Sequence, residues 1–128
     1  MQTLLEVPEI EPLELFDRIS KGTSSDSSQT SKTNKDSFVL LDVREPEEHS
    51  LAALPNSTLI PMMDLEEERE RVRNLTRQFD QIIVYCRSGQ RSASVVQWLF
   101  GMGIENAVNL RGGINAYAIE ADKSLTPY

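Results

Sequence analysis

Two short apolar runs, each stopped by a residue capable of chemistry, constrain what this chain can fold into. Phe38-Val39-Leu40-Leu41 ends at Asp42, and Ile82-Ile83-Val84-Tyr85 ends at Cys86. Neither run alternates apolar with polar, so both faces of each are expected to be buried, as in the inner strands of a parallel sheet. Thr58-Leu59-Ile60 and Ala107-Val108-Asn109-Leu110 are shorter candidates, and residues 7–10 read as an edge strand. The segments between them read as helices. Pro12 suits a first helical turn, and Leu13, Phe16 and Ile19 recur at helical spacing over residues 12–20. Leu65, Val72, Leu75 and Phe79 form one apolar stripe of a surface helix, with Glu67–Arg71 and Glu70–Arg73 pairs expected on its solvent side. Val95, Val96, Leu99 and Met102 mark the buried face of a helix that starts near Ser92 and stops at Gly103. Gly112-Gly113 opens a last helix through Ile114, Ala116 and Ile119. This alternation predicts an α/β fold, a small parallel sheet of about five strands with helices on both faces.

Length and composition narrow the function classes. At 128 residues the chain fits one domain, residues 1–128, with a core that needs no disulfide or metal. One Cys and one His cannot supply the four N or S ligands of a structural zinc site. A net charge of −7 has the wrong sign for attraction to a phosphate backbone, so nucleic acid is not an expected partner. No apolar run approaches the twenty or so residues of a membrane span. The first residues lack the basic and long apolar regions of a signal peptide, which points to the cytoplasm and a reduced thiol. After Gly22, residues 22–37 are Ser, Thr, Asp, Asn, Gln and Lys without a large apolar side chain, and are expected to form a mobile surface loop.

The thiol is where chemistry is expected. Ligands of open parallel sheets bind outside the carboxyl ends of the strands, which is where Cys86 falls. Arg87-Ser88-Gly89-Gln90-Arg91 follow it as a polar loop with one Gly and lead into the helix near Ser92. Backbone N–H groups in such a strand-loop-helix turn converge as an anion-binding nest at the positive end of a helix dipole. With Arg87 and Arg91 nearby, this environment favours the nucleophilic thiolate of an exposed loop cysteine. A buried, inert cysteine is the competing reading, and the constellation around Cys86 weighs against it. Cysteine phosphatases place five residues between Cys and Arg. Here four separate Cys86 from Arg91, and Ser92 stands where their Arg would be. The smaller ring suits the terminal sulfur of a persulfide.

Cys86-Arg87-Ser88-Gly89-Gln90-Arg91-Ser92 resembles the active-site loop of the rhodanese family of sulfurtransferases. Leu41-Asp42-Val43-Arg44-Glu45-Pro46-Glu47-Glu48 resembles that family's first signature, and Asn109 to Tyr117 its last. The motifs come in family order and span nearly the whole chain, with the Ser-rich loop as an insertion. Many members carry a Gly-His pair before an Ile-Pro step, where this chain reads Ala52-Ala53-Leu54-Pro55. His49 stands at what is commonly an aromatic packing position.

The resemblance implies a sulfurtransferase in which Cys86 takes a sulfane sulfur as a persulfide and passes it on, with no cofactor. Arg87 and Arg91 would attract an anionic donor such as thiosulfate, and the loop from Ser88 through Gly89, Gln90 and Arg91 to Ser92 would stabilise the persulfide. Asp42 and Arg44 would support the fold and the loop as an ion pair. Trp98 reads as a packing residue, and the Glu66 to Glu70 cluster as a solvated helix face. The Leu54-Pro55 step, the following Leu59-Ile60-Pro61, and the tail from Ile114 to Ala121 ending in Pro127-Tyr128 resemble the C-terminal rhodanese domains of E1-like adenylyltransferases. That likeness implies a ubiquitin-like sulfur-carrier protein as acceptor, a cysteine-desulfurase persulfide as an alternative donor, and an adenylyltransferase domain as a partner. A non-catalytic rhodanese-like interaction module and a small cysteine phosphatase or arsenate-reductase-like enzyme are the rival readings.

Overall fold

The apolar runs become the central strands. A computed structural model describes residues 6–22 and 37–127. Strands β1 (Glu9–Ile10), β2 (Phe38–Asp42), β3 (Thr58–Leu59), β4 (Gln81–Tyr85) and β5 (Ala107–Leu110) form one sheet in the order β1-β5-β4-β2-β3, with every neighbouring pair parallel. The expected loop at 22–37 is trimmed at both margins. Gly22 ends helix α1 (Pro12–Gly22), and the Ser37 carbonyl accepts from Gln81 N–H. The rest of that stretch, residues 23–36, lies outside the described residues.

Successive side chains of a strand point to opposite faces, and here the two faces bury two separate clusters. Val39 and Leu41 of β2 and Ile82 and Val84 of β4 face helices α3 (Arg69–Thr76) and α4 (Gln90–Gly101), meeting Val72, Val95, Val96 and Leu99. Leu40, Ile83 and Tyr85 face the other way, with Leu15 of α1 and Ile114 and Tyr117 of α5 (Gly113–Glu120). Each fully buried aliphatic side chain contributes about 1.5–3 kcal/mol, which makes this two-sided packing the main source of stability. Among the described residues no helix is long and apolar enough to cross a membrane.

Two helices differ from the sequence expectation. The stripe from Leu65 to Phe79 is not one helix. A 3₁₀ turn at Met62–Asp64 and irregular turns precede α3, which covers only Arg69–Thr76. Leu65, Leu75 and Phe79 still reach the same core, so the apolar stripe reported a shared face instead of a continuous helix. Its ion pairs are Arg69–Glu66 and Arg71–Glu68, and Arg73 donates to the Met102 carbonyl. Helix α2 (Pro46–Leu51) has no buried residue and so no apolar periodicity to announce it. Its signal is local: Pro46 at the first turn, and Glu45 N–H donating to Glu48 Oε1 at 2.9 Å.

The start of α5 fixes the loop that follows β4. Ile114 N–H donates to the Cys86 carbonyl at 2.9 Å and Asn115 N–H to the Arg87 carbonyl at 3.1 Å. Gly113 makes this approach possible. Its φ is +69°, and an added Cβ would run into the Cys86 and Arg87 backbone. Gly113→Ala is therefore expected to cost about 2–3 kcal/mol and to lower Tm by roughly 10 °C. Gly101, in α4 with open space around its missing Cβ, is the control. Gly101→Ala is expected to leave Tm unchanged or raise it by a few degrees, as thermal denaturation of both variants will show.

Candidate active site at the end of strand β4

Cys86 is the first residue past β4, and the chain turns at once into α4 through Arg87, Ser88 and Gly89. Gly89 adopts φ +103°, which an L side chain rarely allows, and caps α4. That turn folds the loop back over the sulfur. Gly89 N–H lies 3.1 Å from Cys86 Sγ, Ser92 N–H 3.4 Å and Ser92 Oγ 3.3 Å. The amides that reach the sulfur are thus those of Gly89 and Ser92, a narrower set than the whole run from Ser88 to Ser92. The positive end of the α4 dipole adds to their attraction for negative charge. The thiol is not the exposed group expected of a loop cysteine. Cys86 is 1% exposed and belongs to the core cluster beneath the sheet's end. Tight closure of the loop over a residue that continues the strand's inward alternation accounts for the difference.

Arg87, Ser88 and Gln90 line the loop's outer surface. Arg91 is engaged elsewhere. Its two terminal nitrogens meet the two oxygens of Glu48 at 3.0 and 3.1 Å, a bidentate pair. Much of the positive charge expected at the loop mouth is therefore shared with a carboxylate on α2. In the sequence Glu48 shows only as the last residue of the first signature and as a member of the α2 capping motif, neither of which reports its pairing with Arg91.

Helix α2 is in turn held by the end of β2. Asp42 and Arg44 are both fully buried and form a fork-to-fork pair, with Nε to Oδ1 at 2.8 Å and Nη2 to Oδ2 at 2.7 Å. Arg44 also donates to the Glu48 and Ala52 carbonyls at the C-terminal end of α2, at 3.3 and 2.7 Å, joining the capping Ala52 N–H at the Glu48 carbonyl and placing a positive charge where the helix dipole is negative. A chain of contacts therefore runs from Asp42 through Arg44 and α2 to Glu48 and Arg91. His49 joins it: Nδ1 lies 2.8 Å from Asp42 Oδ2, a hydrogen-bonded place in the network and not the packing position read from sequence. Tyr85 OH donates to the same oxygen at 3.1 Å and accepts from Leu54 N–H. Burial and the Asp42 charge push the Tyr85 hydroxyl up to about 12. Burial alone would raise the Asp42 carboxyl, but hydrogen bonds from Arg44 and His49 outweigh it and hold the carboxyl below its ordinary value.

A buried side chain on β5 completes the site. Asn109, 2% exposed, accepts from Ser92 Oγ at 2.6 Å and donates to the Gly89 carbonyl at 3.1 Å. It thereby touches both residues that reach the sulfur. In the sequence Asn109 is a polar residue interrupting an apolar strand at the start of the last signature, and nothing there links it to the cysteine loop. Trp98 packs against the core and donates to Glu66, while Glu66, Glu67 and Glu70 are exposed.

The Asp42–Arg44 pair carries a testable cost. Removing one partner of a buried ion pair leaves the other uncompensated, so Asp42→Asn is expected to lose about 3–5 kcal/mol at neutral pH. Because the folded carboxyl is depressed, its contribution is complete above the ordinary carboxylate value of about 4 and fades as pH falls through the lower folded value. Urea unfolding is expected to show the parent losing stability below about pH 4 more steeply than Asp42→Asn.

Comparison with known proteins agrees with this architecture. A profile of the rhodanese-like domain matches residues 26–120. A sulfurtransferase from Allochromatium vinosum is 31% identical over 94 residues, covering 73% of this chain and 84% of that protein. An adenylyltransferase and sulfurtransferase from Arabidopsis thaliana, MOCS3, is 27% identical over 106 residues, covering 73% of this chain but 23% of its relative. The chain spans less than a third of the length of several such curated relatives. A crystal structure of a rhodanese-related protein from Thermoplasma volcanium superimposes with a TM-score of 0.67 at 30% identity, covering 89% of this chain and 93% of the other. With its profile match, its relatives and its parallel sheet in accord, the chain belongs to the rhodanese-like domain family.

Proposed function

We propose that the chain is a sulfurtransferase that carries a sulfane sulfur as a persulfide on Cys86. The observation that carries this reading is the convergence of Gly89 N–H, Ser92 N–H and the α4 N-terminus on one buried sulfur. Sulfurtransferase-named relatives in the same family support it.

The Cys86 thiolate attacks the outer sulfur of a donor. With thiosulfate, a new S–S bond forms as the old one breaks, and sulfite leaves with the electron pair. The terminal persulfide sulfur then carries the negative charge, and the loop's N–H groups stabilise it without having to reorganise. An acceptor nucleophile attacks that sulfur, the Sγ–S bond breaks, and its electron pair returns to Cys86. No electron is gained or lost overall, so the cycle needs no redox cofactor. These 128 residues hold one Cys, so no disulfide formed within them releases the sulfur, and the acceptor nucleophile lies outside them.

Arg87, on the loop's outer surface, would steer a small anionic donor, while Arg91 would brace the loop through Glu48. Asp42 and Arg44 would act as supports behind α2. A desulfurase persulfide is the protein equivalent of the small donor. A ubiquitin-like sulfur carrier is the acceptor favoured by relatives named adenylyltransferase and sulfurtransferase. A cytoplasmic setting would keep the lone thiol reduced between cycles. The phosphatase alternative is disfavoured because Ser92 occupies the place of its phosphate-binding Arg and sets its Oγ 3.3 Å from the sulfur.

Steady-state transfer from thiosulfate to cyanide tests the reading. Cys86→Ser and Cys86→Ala are expected to lower the rate at least about a thousandfold. Both are expected to stay folded, since a buried Cys side chain contributes only about 1–2 kcal/mol of packing. Rates within tenfold of the parent would overturn the assignment.

A further inference from the structure

We propose that Asn109 is a positioning residue that dictates where the Ser92 hydroxyl proton points and so controls the protonation of Cys86. The proposal rests on the reading of Cys86 as the reacting group. Asn109 sits on β5, away from the cysteine loop in sequence, and is 2% exposed. Its side-chain NH₂ faces two oxygens that accept and do not donate: the Gly89 carbonyl at 3.1 Å and Glu9 Oε2 at 3.5 Å. These partners fix the amide orientation, so Oδ1 is the atom turned to Ser92 Oγ, 2.6 Å away. Of those two oxygens only Ser92 carries a hydrogen, and it donates to Asn109.

Hydrogen bookkeeping then decides the contact with the sulfur. Ser92 Oγ is 3.3 Å from Cys86 Sγ, but its one proton is already given to Asn109. It presents lone pairs to the sulfur, and the proton between them is that of the Cys86 thiol. Ionising the thiol removes that proton and leaves two electron-rich atoms face to face. Relief requires the Ser92 hydroxyl to turn to the sulfur, which breaks its short bond to Asn109. Asn109 therefore holds the hydroxyl proton away from the sulfur. The thiolate that does form lacks the hydroxyl's hydrogen bond and is the more nucleophilic for it.

The charged and titratable groups around the loop are Arg87 and Arg91, Glu48 and His49 on α2, Asp42 and Arg44 at the end of β2, and Glu9 on β1. Substitution at Asn109 removes none of them. The Gly89 carbonyl also keeps its bond from Ala93 N–H, at 3.2 Å, so the Gly89 donor to the sulfur stays in place.

The test is a pH titration of ultraviolet thiolate absorbance, with Cys86→Ser subtracting the tyrosine background. Parent, Asn109→Leu, Ser92→Ala and the double variant form a cycle. In Asn109→Leu the hydroxyl is free to donate to the sulfur, so the midpoint is expected to fall by about one pH unit. The pH-independent rate of alkylation by iodoacetamide is expected to fall several-fold with it. In the Ser92→Ala background the same substitution is expected to leave the midpoint in place. No shift in Asn109→Leu, an upward shift, or an equal shift without Ser92 would overturn the proposal. Asn109→Ala, neutral and without an acceptor, covers the case in which the Leu variant does not fold. Its midpoint is expected below the parent's, and one at or above it would overturn the proposal. The titration reads the thiol itself. The predicted cycle in a protein that never accepts sulfur would sink only the sulfur-transfer reading, and sulfur transfer without the cycle would sink only the role of Asn109.

Discussion

The parallel register of β2 and β4 places Asp42 beside Tyr85, one residue before Cys86, and most of the site follows from that alignment. Because the strands run the same way, their carboxyl ends meet at one edge of the sheet, where the ion pair of β2 and the thiol of β4 become neighbours. The alternation of side chains then separates their tasks. Tyr85 turns its hydroxyl toward Asp42 on one face, while Cys86 turns its sulfur into the cluster on the other. A one-residue slip in this pairing would exchange those faces and abolish both arrangements.

Three elements outside the cysteine loop close it. The first turn of α5 binds the Cys86 and Arg87 carbonyls, Asn109 of β5 binds Gly89 and Ser92, and Glu48 of α2 binds Arg91. Each contact replaces hydration with a fixed partner, so the N–H groups of the loop point at the sulfur before any substrate arrives. Preorganised donors in a water-poor site are worth more to a developing anion than the same donors in water. The cost is carried by left-handed backbone at Gly89 and Gly113 and by a buried carboxylate and guanidinium, which are tolerable because every one of these groups is tightly partnered.

Legibility in the sequence tracked how local each signal is. The four-residue apolar runs announced β2 and β4, and the Gly-Gly pair announced the start of α5, because burial and backbone freedom leave direct marks on residue type. The strand-end place of Cys86 came with them. Helix α2 leaves no apolar periodicity because it buries nothing, and only a capping pattern betrays it. The apolar stripe runs past α3 because Leu65 and Phe79 reach the shared core from turns. The partners of the loop were not legible at all. Pairing Glu48 with Arg91, His49 with Asp42, or Asn109 with Ser92 requires the three-dimensional return of the chain, which no spacing in one sequence reports. For the same reason the sequence suggests an exposed sulfur where the structure buries it: a loop's polarity is visible in sequence, whereas its closure over a core position is not.

The central claim is that this preorganised cradle serves a sulfur bound covalently to Cys86. The most direct measurement is the intact mass of the protein after exposure to thiosulfate or to a cysteine-desulfurase persulfide, repeated after cyanide. The account predicts a gain of one sulfur atom, removed by cyanide as thiocyanate and absent when residue 86 carries no thiol. No gain from either donor would contradict it and leave the loop as a binding surface of the rhodanese-like fold.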